Sequence, residues 1–249
     1  MAKSAGLAQQ IFVHGYDLSG DVSAINNASS PRGVLDVPGI NSSAMDRIMP
    51  RTDGAINYNT WFNDAALQEH VILSSLPKTD SLVLWALGGS RGDTAAMLVS
   101  KQMDYPLSKG ADGSLAATID AQGNGEPLEW GVMLTAGKIT HSSATASGSG
   151  TSYDQGAATS SGAVGMLHIM DINSGSPSIV IQDSANNSSF ASIIGFSTVA
   201  DGAEPKAERV SMTGNVRRYI SVASTGTFSN CVFAVAIRVG TAQDDVAYT

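Results

Sequence analysis

Gly88-Gly89-Ser90-Arg91-Gly92 is the stretch whose spacing comes nearest to a catalytic motif. It matches the G-x-S-x-G elbow, in which a strained strand-to-helix turn exposes a serine and an acid and a histidine arrive later in the chain. The run Ser81–Leu87 before it reads as a strand. The run Asp93–Met103 after it is as good a strand as a helix. Of the later histidines, His141 lies in a Ser/Gly-rich stretch and His168 inside an apolar alternation. A serine hydrolase using Ser90 and His168 is therefore one reading, and a glycine-rich hairpin loop is the plainer one. Arg91-Gly92-Asp93 also spells an integrin-type tripeptide, which a loop apex explains without function.

The remaining chemistry-bearing residues are scattered. His14, His70, His141 and His168 show no H-x-x-H, H-E-x-x-H or C-x-x-C spacing, which excludes the common transition-metal frameworks. His14 reads as part of a strand and His70 as part of a helix. Asp171-Ile-Asn173-Ser-Gly175 and Asp183-Ser-Ala-Asn186-Asn187 are oxygen-rich. Such loops hold calcium in some β-sandwiches, but Asp and Asn also shape turns through their own side chains. Tyr219, Phe228 and Phe233 could supply a sugar-binding platform, with Tyr219 after Arg217-Arg218 the better surface candidate and Phe233 core-facing. Cys231 sits in the apolar run Cys231–Ile237 and reads as a small buried hydrophobe without an internal disulfide partner. No phosphate-binding glycine loop of Walker or dinucleotide type occurs. No residue is assigned a catalytic, cofactor-binding or metal-ligating role, and no cofactor is expected.

These residues must be held by strands. In the first half, strand-like runs are Gln10–Asp17, Gly33–Val37, Ala55–Phe62, Ser81–Leu87, Ala95–Asp104, Ser114–Ala121 and Leu128–Ala136. Ile56, Tyr58 and Thr60 share one face of their run, and Asn57, Asn59 and Trp61 share the other. One helix is expected after Asn63, with Leu67 and Val71 a turn apart and Pro77 closing it, and a shorter one from Ala44 to Ile48 ended by Pro50. The stretch 138–162, KITHSSATASGSGTSYDQGAATSSG, has almost no large apolar residues and reads as an inter-domain linker. Beyond it come only strands, Ala163–Asp171, Ser178–Asp183, Ser189–Ile194, Phe196–Ala200, Ala207–Met212, Val216–Ala223 and Cys231–Val239. Their spacing points to a sandwich or jelly roll. The tail Thr241–Thr249 is polar and expected to be loose. The reading is thus a mainly β chain of two domains, 1–137 and 163–249.

Charged residues are 14% of the chain, against roughly 25% in an average soluble domain. A surface this poor in charge repels neighbours weakly, which favours a protein covered by copies of itself. The net charge of −8 and the absence of a basic cluster exclude a phosphate-gripping nucleic-acid binder. Residues 1–137 carry 8 Lys/Arg against 14 Asp/Glu, so the acidity is concentrated there. No run approaches the ~18 apolar residues of a membrane span, and the first residues show no apolar signal-peptide core.

Several segments resemble the major tail, or tail-tube, proteins of long-tailed (siphovirus-type) bacteriophages, actinophages in particular. They are Tyr16-Asp-Leu-Ser-Gly-Asp21, Leu35-Asp-Val-Pro-Gly-Ile40, Asp53-Gly-Ala-Ile-Asn-Tyr-Asn-Thr-Trp-Phe-Asn63, Leu98-Val-Ser-Lys-Gln-Met-Asp-Tyr105, Asp112-Gly-Ser-Leu115 with Glu129-Trp-Gly131, Ile181-Gln-Asp-Ser-Ala-Asn186 and Val216-Arg-Arg-Tyr-Ile220. The resemblance implies a tail-tube β-barrel or sandwich with one flanking helix, followed by a jelly-roll or immunoglobulin-like sandwich. It implies a non-enzymatic virion protein, assembled in the host cytoplasm, whose copies close rings, usually of six, that stack into a tube. Long loops, Val22–Arg32 and Lys78–Asp80, would reach the next ring, and an acidic lumen would pass genomic DNA without gripping it. Implied partners are other copies, other tail proteins and, through the second domain, cell-surface sugars. The alternative is a virion-surface carbohydrate-binding or decoration protein acting through residues 163–249.

Overall fold

The computed structural model describes residues 6–41, 43–48 and 51–240. Over the described residues the chain is mainly β, built of antiparallel sheets with one short α-helix. Its first half contains β1 (Gln10–Val13), β2 (Tyr16–Asp17), β3 (Val22–Ser29), β4 (Leu35–Asp36), β5 (Arg47–Ile48), β6 (Ala55–Trp61), α1 (Glu69–Leu73), β7 (Ser81–Ala86), β8 (Thr94–Asp104), β9 (Leu107–Lys109), β10 (Leu115–Gly123) and β11 (Glu129–Met133).

Alternation along these strands sorts the side chains onto two faces, since successive residues of a strand point opposite ways. Ile11 and Val13 of β1, Ile56 and Tyr58 of β6, Val83 of β7, Ala96 and Leu98 of β8, and Ala117, Ile119 and Ala121 of β10 meet in one core. Val22 and Ile25 of β3 pack against the same core, so the ends of the β1-β7-β8-β10-β6-β3 sheet curl toward each other. They do not meet. Between β1 and β3 lies a groove of about 230 Å³, lined by Leu7, Gln9, Ile11, Val22, Ile25 and Trp85. The expected barrel is therefore open, because Ser19 and the turn after β2 bond to Ile11 where a strand would close it.

The second half contains β12 (Ile139–His141), β13 (Tyr153–Asp154), β14 (Ala163–Gly175), β15 (Ser178–Ser184), β16 (Ala191–Gly195), β17 (Lys206–Met212), β18 (Tyr219–Thr225) and β19 (Phe228–Val239). β17-β14-β19 form a layer that continues through β11 into the first half's sheet, and β13-β18-β15-β16 form a second layer. Leu167, Ile169, Phe233, Val235 and Ile237 face Ile179, Ile181, Ile194, Ile220 and Val222 to make the sandwich core. The opposite face of β14 and β19, with Met166, Ala234 and Ala236, packs on Phe12, Leu82, Leu84, Ala86, Ala95 and Met97 from the outside of the open barrel. The middle layer is thus buried on both sides, which is why its strands read as near-continuous apolar runs.

Several expected elements differ. Gln10–Asp17 is two strands, because His14 (φ 50°) and Gly15 (φ 91°) turn the chain. Val22–Ser29 is a strand bonded to β6 rather than a loop. The helix after Asn63 shrinks to Glu69–Leu73, since Leu67 sits at φ 62° and cannot continue a right-handed turn; Leu67 and Val71 are exposed. The helix expected at Ala44–Ile48 is replaced by β5 paired with β4. Phe196–Ala200 forms no strand, and the oxygen-rich stretch Asp171–Gly175 is the end of β14 rather than a loop. The stretch 138–162 contributes β12 and β13, which pair with β19 and β18. Its Ser and Thr side chains cannot build a core, but backbone pairing needs none, and Ile139 and Tyr153 pack against the sandwich core. Pro50 and the tail 241–249 lie outside the described residues.

Candidate functional site: an apolar hairpin arm

The catalytic-looking residues are not brought together. Ser90 lies in a tight turn whose backbone N–H donates to Asp93 Oδ2 at 2.7 Å. Arg91 Nε donates to the Leu134 carbonyl at 3.0 Å and its Nη1 to the Gly150 carbonyl at 3.2 Å, so the Arg-Gly-Asp triplet is tied down as a structural corner. His168 is fully buried against Phe12, and His141 Nδ1 meets Ser224 Oγ at 2.7 Å. Neither histidine has Ser90 as a hydrogen-bond partner.

The oxygen-rich stretches serve the fold. Arg217 covers Asp183, with its Nε 2.8 Å from Oδ1 and its backbone N–H 2.6 Å from Oδ2. Asn186 accepts from the N–H groups of Ser188 and Ser189 and so closes its own turn. Asp171 and Asn173 stand on β14. Among the described residues no group of three or more His, Cys, Asp or Glu is placed to hold a metal. Phe233 and Phe228 are core residues, and the Arg218 guanidinium covers the Tyr219 ring at 5.0 Å from its centroid. Asp154 holds Arg218 in that position and is itself held at about 2, well below the usual carboxylate range, by the paired guanidinium. Cys231 is a buried free thiol pushed up to about 12 by burial.

A buried polar cluster escaped the sequence. Glu69 is fully enclosed, and it accepts from Thr60 Oγ1 at 2.8 Å and from the Tyr105 hydroxyl at 3.2 Å. Because that hydroxyl's proton points at Glu69, His70 Nδ1, 3.0 Å away, is the donor to the Tyr105 oxygen. Asp21 accepts from Asn63 Nδ2 and from the Glu69 backbone N–H. These bonds satisfy the two carboxylates without a cation and fasten α1 and the chain around Asn63 to β6. Burial, aided by Glu69, drives the Tyr58 hydroxyl far above its ordinary value.

Part of the acidity of the first half is also consumed in place. Asp17 pairs with Lys138 at 2.6 Å, Asp36 with Arg47, and Asp80 with Lys101. Arg209 reaches Glu129 at 2.9 Å and Glu126 at 3.1 Å, and Arg238 lies 3.8 Å from Glu129. Three first-half acids are therefore neutralised by second-half cations across the junction.

One region remains unsatisfied. Between β3 and β6 the described residues 30–41, 43–48 and 51–53 run out as an arm. It is closed by the Leu35–Ile48 and Asp36–Arg47 pairs, a bridge between Arg32 and Thr52, and bonds from Val37 N–H to Asp46 O and Asp53 N–H to Pro31 O. Val34, Leu35, Val37, Ile40, Met45 and Ile48 are all exposed along it, Ile40 completely. A two-stranded ribbon is marginal in water on its own, and a contiguous apolar surface on a soluble fold marks a contact site. The loop expected to reach outward at Lys78–Asp80 is instead tied to the body through Lys101 and Asn124. No sequence signal placed the outward-reaching element between Arg32 and Asp53, because its short apolar runs look like ordinary strands.

No family model matches this chain, and no curated protein matches it. Among solved structures, the Dit protein of phage SPP1, described as a paradigm of the hub adsorption apparatus in phages infecting Gram-positive bacteria, is similar over 93% of this chain and 100% of its own. The TM-score is 0.34 and the identity 10%. A chain of the phage p2 baseplate in its activated conformation with Sr is similar over 94% and 99%, with a TM-score of 0.33 and 9% identity. The same baseplate with Ca gives 0.32 and 10%. No helix among the described residues is long and apolar enough to cross a membrane.

Proposed function

We propose that this chain is a non-enzymatic structural subunit of a phage virion, whose copies close into rings that stack as a tail tube for DNA passage. The phage context rests on the sequence segments named above. The observation that carries self-assembly is the arm, whose six apolar side chains are left exposed by the described residues of the chain. A second copy is the natural occupant. Trp61 and Trp130 are exposed on the same half of the molecule, and β3 ends its sheet paired only with β6, so its groove-side edge has no strand partner among the described residues. Low overall charge makes close packing of copies cheap, and strand edges that would invite aggregation become assembly devices when a neighbour covers them. In this reading residues 1–137 build the ring and 163–249 decorate its outside, with other tail proteins as further partners. Acids outside these ion pairs, such as Asp104 and Asp120 opposite each other across β8 and β10, supply the negative wall that keeps DNA mobile.

Negative-stain microscopy and light scattering on the concentrated protein test this. Hollow filaments with an axial repeat of about 40 Å, the height of a small domain, are expected. Replacing Val37 and Ile40 by Ser should leave monomers. A wild-type protein that stays monomeric at every concentration overturns the reading.

A further inference from the structure

The junction between the open barrel and the sandwich contains a feature that neither half explains alone. The turn His14–Gly15 at the end of β1 leaves the first half and presses on the backbone of β14 and β17. A Cβ on Gly15 would stand 2.5 Å from the Lys206 nitrogen and 2.9 Å from the Ile169 carbonyl, so only glycine seats there, and its φ of 91° favours glycine as well. Its backbone N–H donates to Nδ1 of His168 at 3.1 Å. His168 is entirely buried. Because Nδ1 accepts, the ring is neutral with its proton on Nε2, and that Nε2 is enclosed without a partner. Nδ1 of His14 is likewise buried and unpartnered.

We propose that this turn is an acid-released latch: a proton on His168 converts the acceptor of the Gly15 N–H into a donor, expels the turn from the β14–β17 surface and loosens the barrel from the sandwich. The surroundings offer the charged ring nothing. Opposite His168 stand Ala234 on β19 and Ala207 on β17. The layer beneath contributes Phe12, Leu82 and Leu84. The titratable groups on the packed elements are His14 on the turn, Tyr16 and Asp17 on β2, Asp171 on β14, Lys206, Glu208 and Arg209 on β17, and Cys231 and Arg238 on β19. Asp17 is engaged by Lys138 and Ser19, Glu208 by Ser197, and Arg209 by Glu126 and Glu129. Burial, with a smaller contribution from His14, holds His168 at about 3. Its folded value is thus below its unfolded one of 6.5. The stabilisation it carries is complete above pH 6.5 and is lost as pH falls from there toward 3.

Hydrogen exchange of the full chain between pH 7.5 and 4.5, corrected for intrinsic rates, tests the latch. Opening of the segment 11–18 should rise up to about tenfold per pH unit below 6.5, while β15 and β18 stay protected. His168→Gln keeps a neutral acceptor and should flatten that dependence. Should the variant misfold, proton NMR of the wild-type ring supplies the second readout: His168 must titrate together with loss of Gly15 protection. Exchange in 11–18 that ignores pH, loosening only in one global step with β15 and β18, or opening while His168 stays neutral would each overturn the proposal.

Discussion

β14 with β19 and the arm of residues 30–53 are the two most informative regions to set side by side. Both carry short runs of Val, Leu, Ile and Met. In the first, every such residue finds neighbours in the same chain, small on the barrel side (Ala234, Ala236) and large on the sandwich side (Phe233, Val235, Ile237). In the second, comparable side chains stand in solvent. Apolar sequence alone therefore does not say where a core lies. It says that something must cover those residues, and the difference is whether the cover is the chain itself or another molecule.

Four measurements can break or sharpen this comparison. The largest effect is expected from Phe233→Ala, which empties a site with no exposure at the centre of the sandwich. A loss of about 3–5 kcal/mol in urea unfolding is expected. Next comes Arg209→Met, which strips Glu129 of its closest cation while leaving it buried. A loss of about 3 kcal/mol is expected, softened by Arg238, and a neutral result would mean that the junction tolerates an unpaired carboxylate. Third is pH. With His168 at about 3 when folded, the folding equilibrium should weaken by up to about tenfold per unit as pH drops below 6.5, and calorimetry at pH 7.5, 6 and 5 would follow it. The smallest effect on the monomer belongs to the arm. Val37→Ser with Ile40→Ser should change unfolding by less than about 0.5 kcal/mol, yet light scattering should lose the assembled species. An arm variant as destabilised as Phe233→Ala would erase the distinction between the two regions.

Much of the strand content was legible because burial follows alternation. Ile56, Tyr58 and Thr60 are buried, and Trp61 on the opposite face is exposed, as their spacing requires. β3 was not legible, because Val22-Ser-Ala-Ile-Asn-Asn-Ala-Ser29 buries little and its outward Asn26 bonds instead to Asn59 on the neighbouring strand. The helix was overestimated because polar and apolar residues after Asn63 fit a helical face, while the backbone at Leu67 took the left-handed region. The polar cluster of Glu69, Thr60, Tyr105 and Asp21 joins residues up to 84 positions apart in number, from Asp21 to Tyr105, and no local pattern encodes such a meeting.

The amino-acid sequence on its own determined that this protein is β-rich, sparsely charged, and without histidines and cysteines at common metal-ligand spacings. Those properties follow from residue types and from periodicities of a few positions. Tertiary structure alone decided that His168 would lose its access to water and take the Gly15 N–H, that first-half acids would meet second-half arginines, and that Val34, Leu35, Val37, Ile40, Met45 and Ile48 would be left outside. Each of those outcomes depends on which surfaces the sheets cover when they stack, and stacking is set by contacts between residues far apart in the chain.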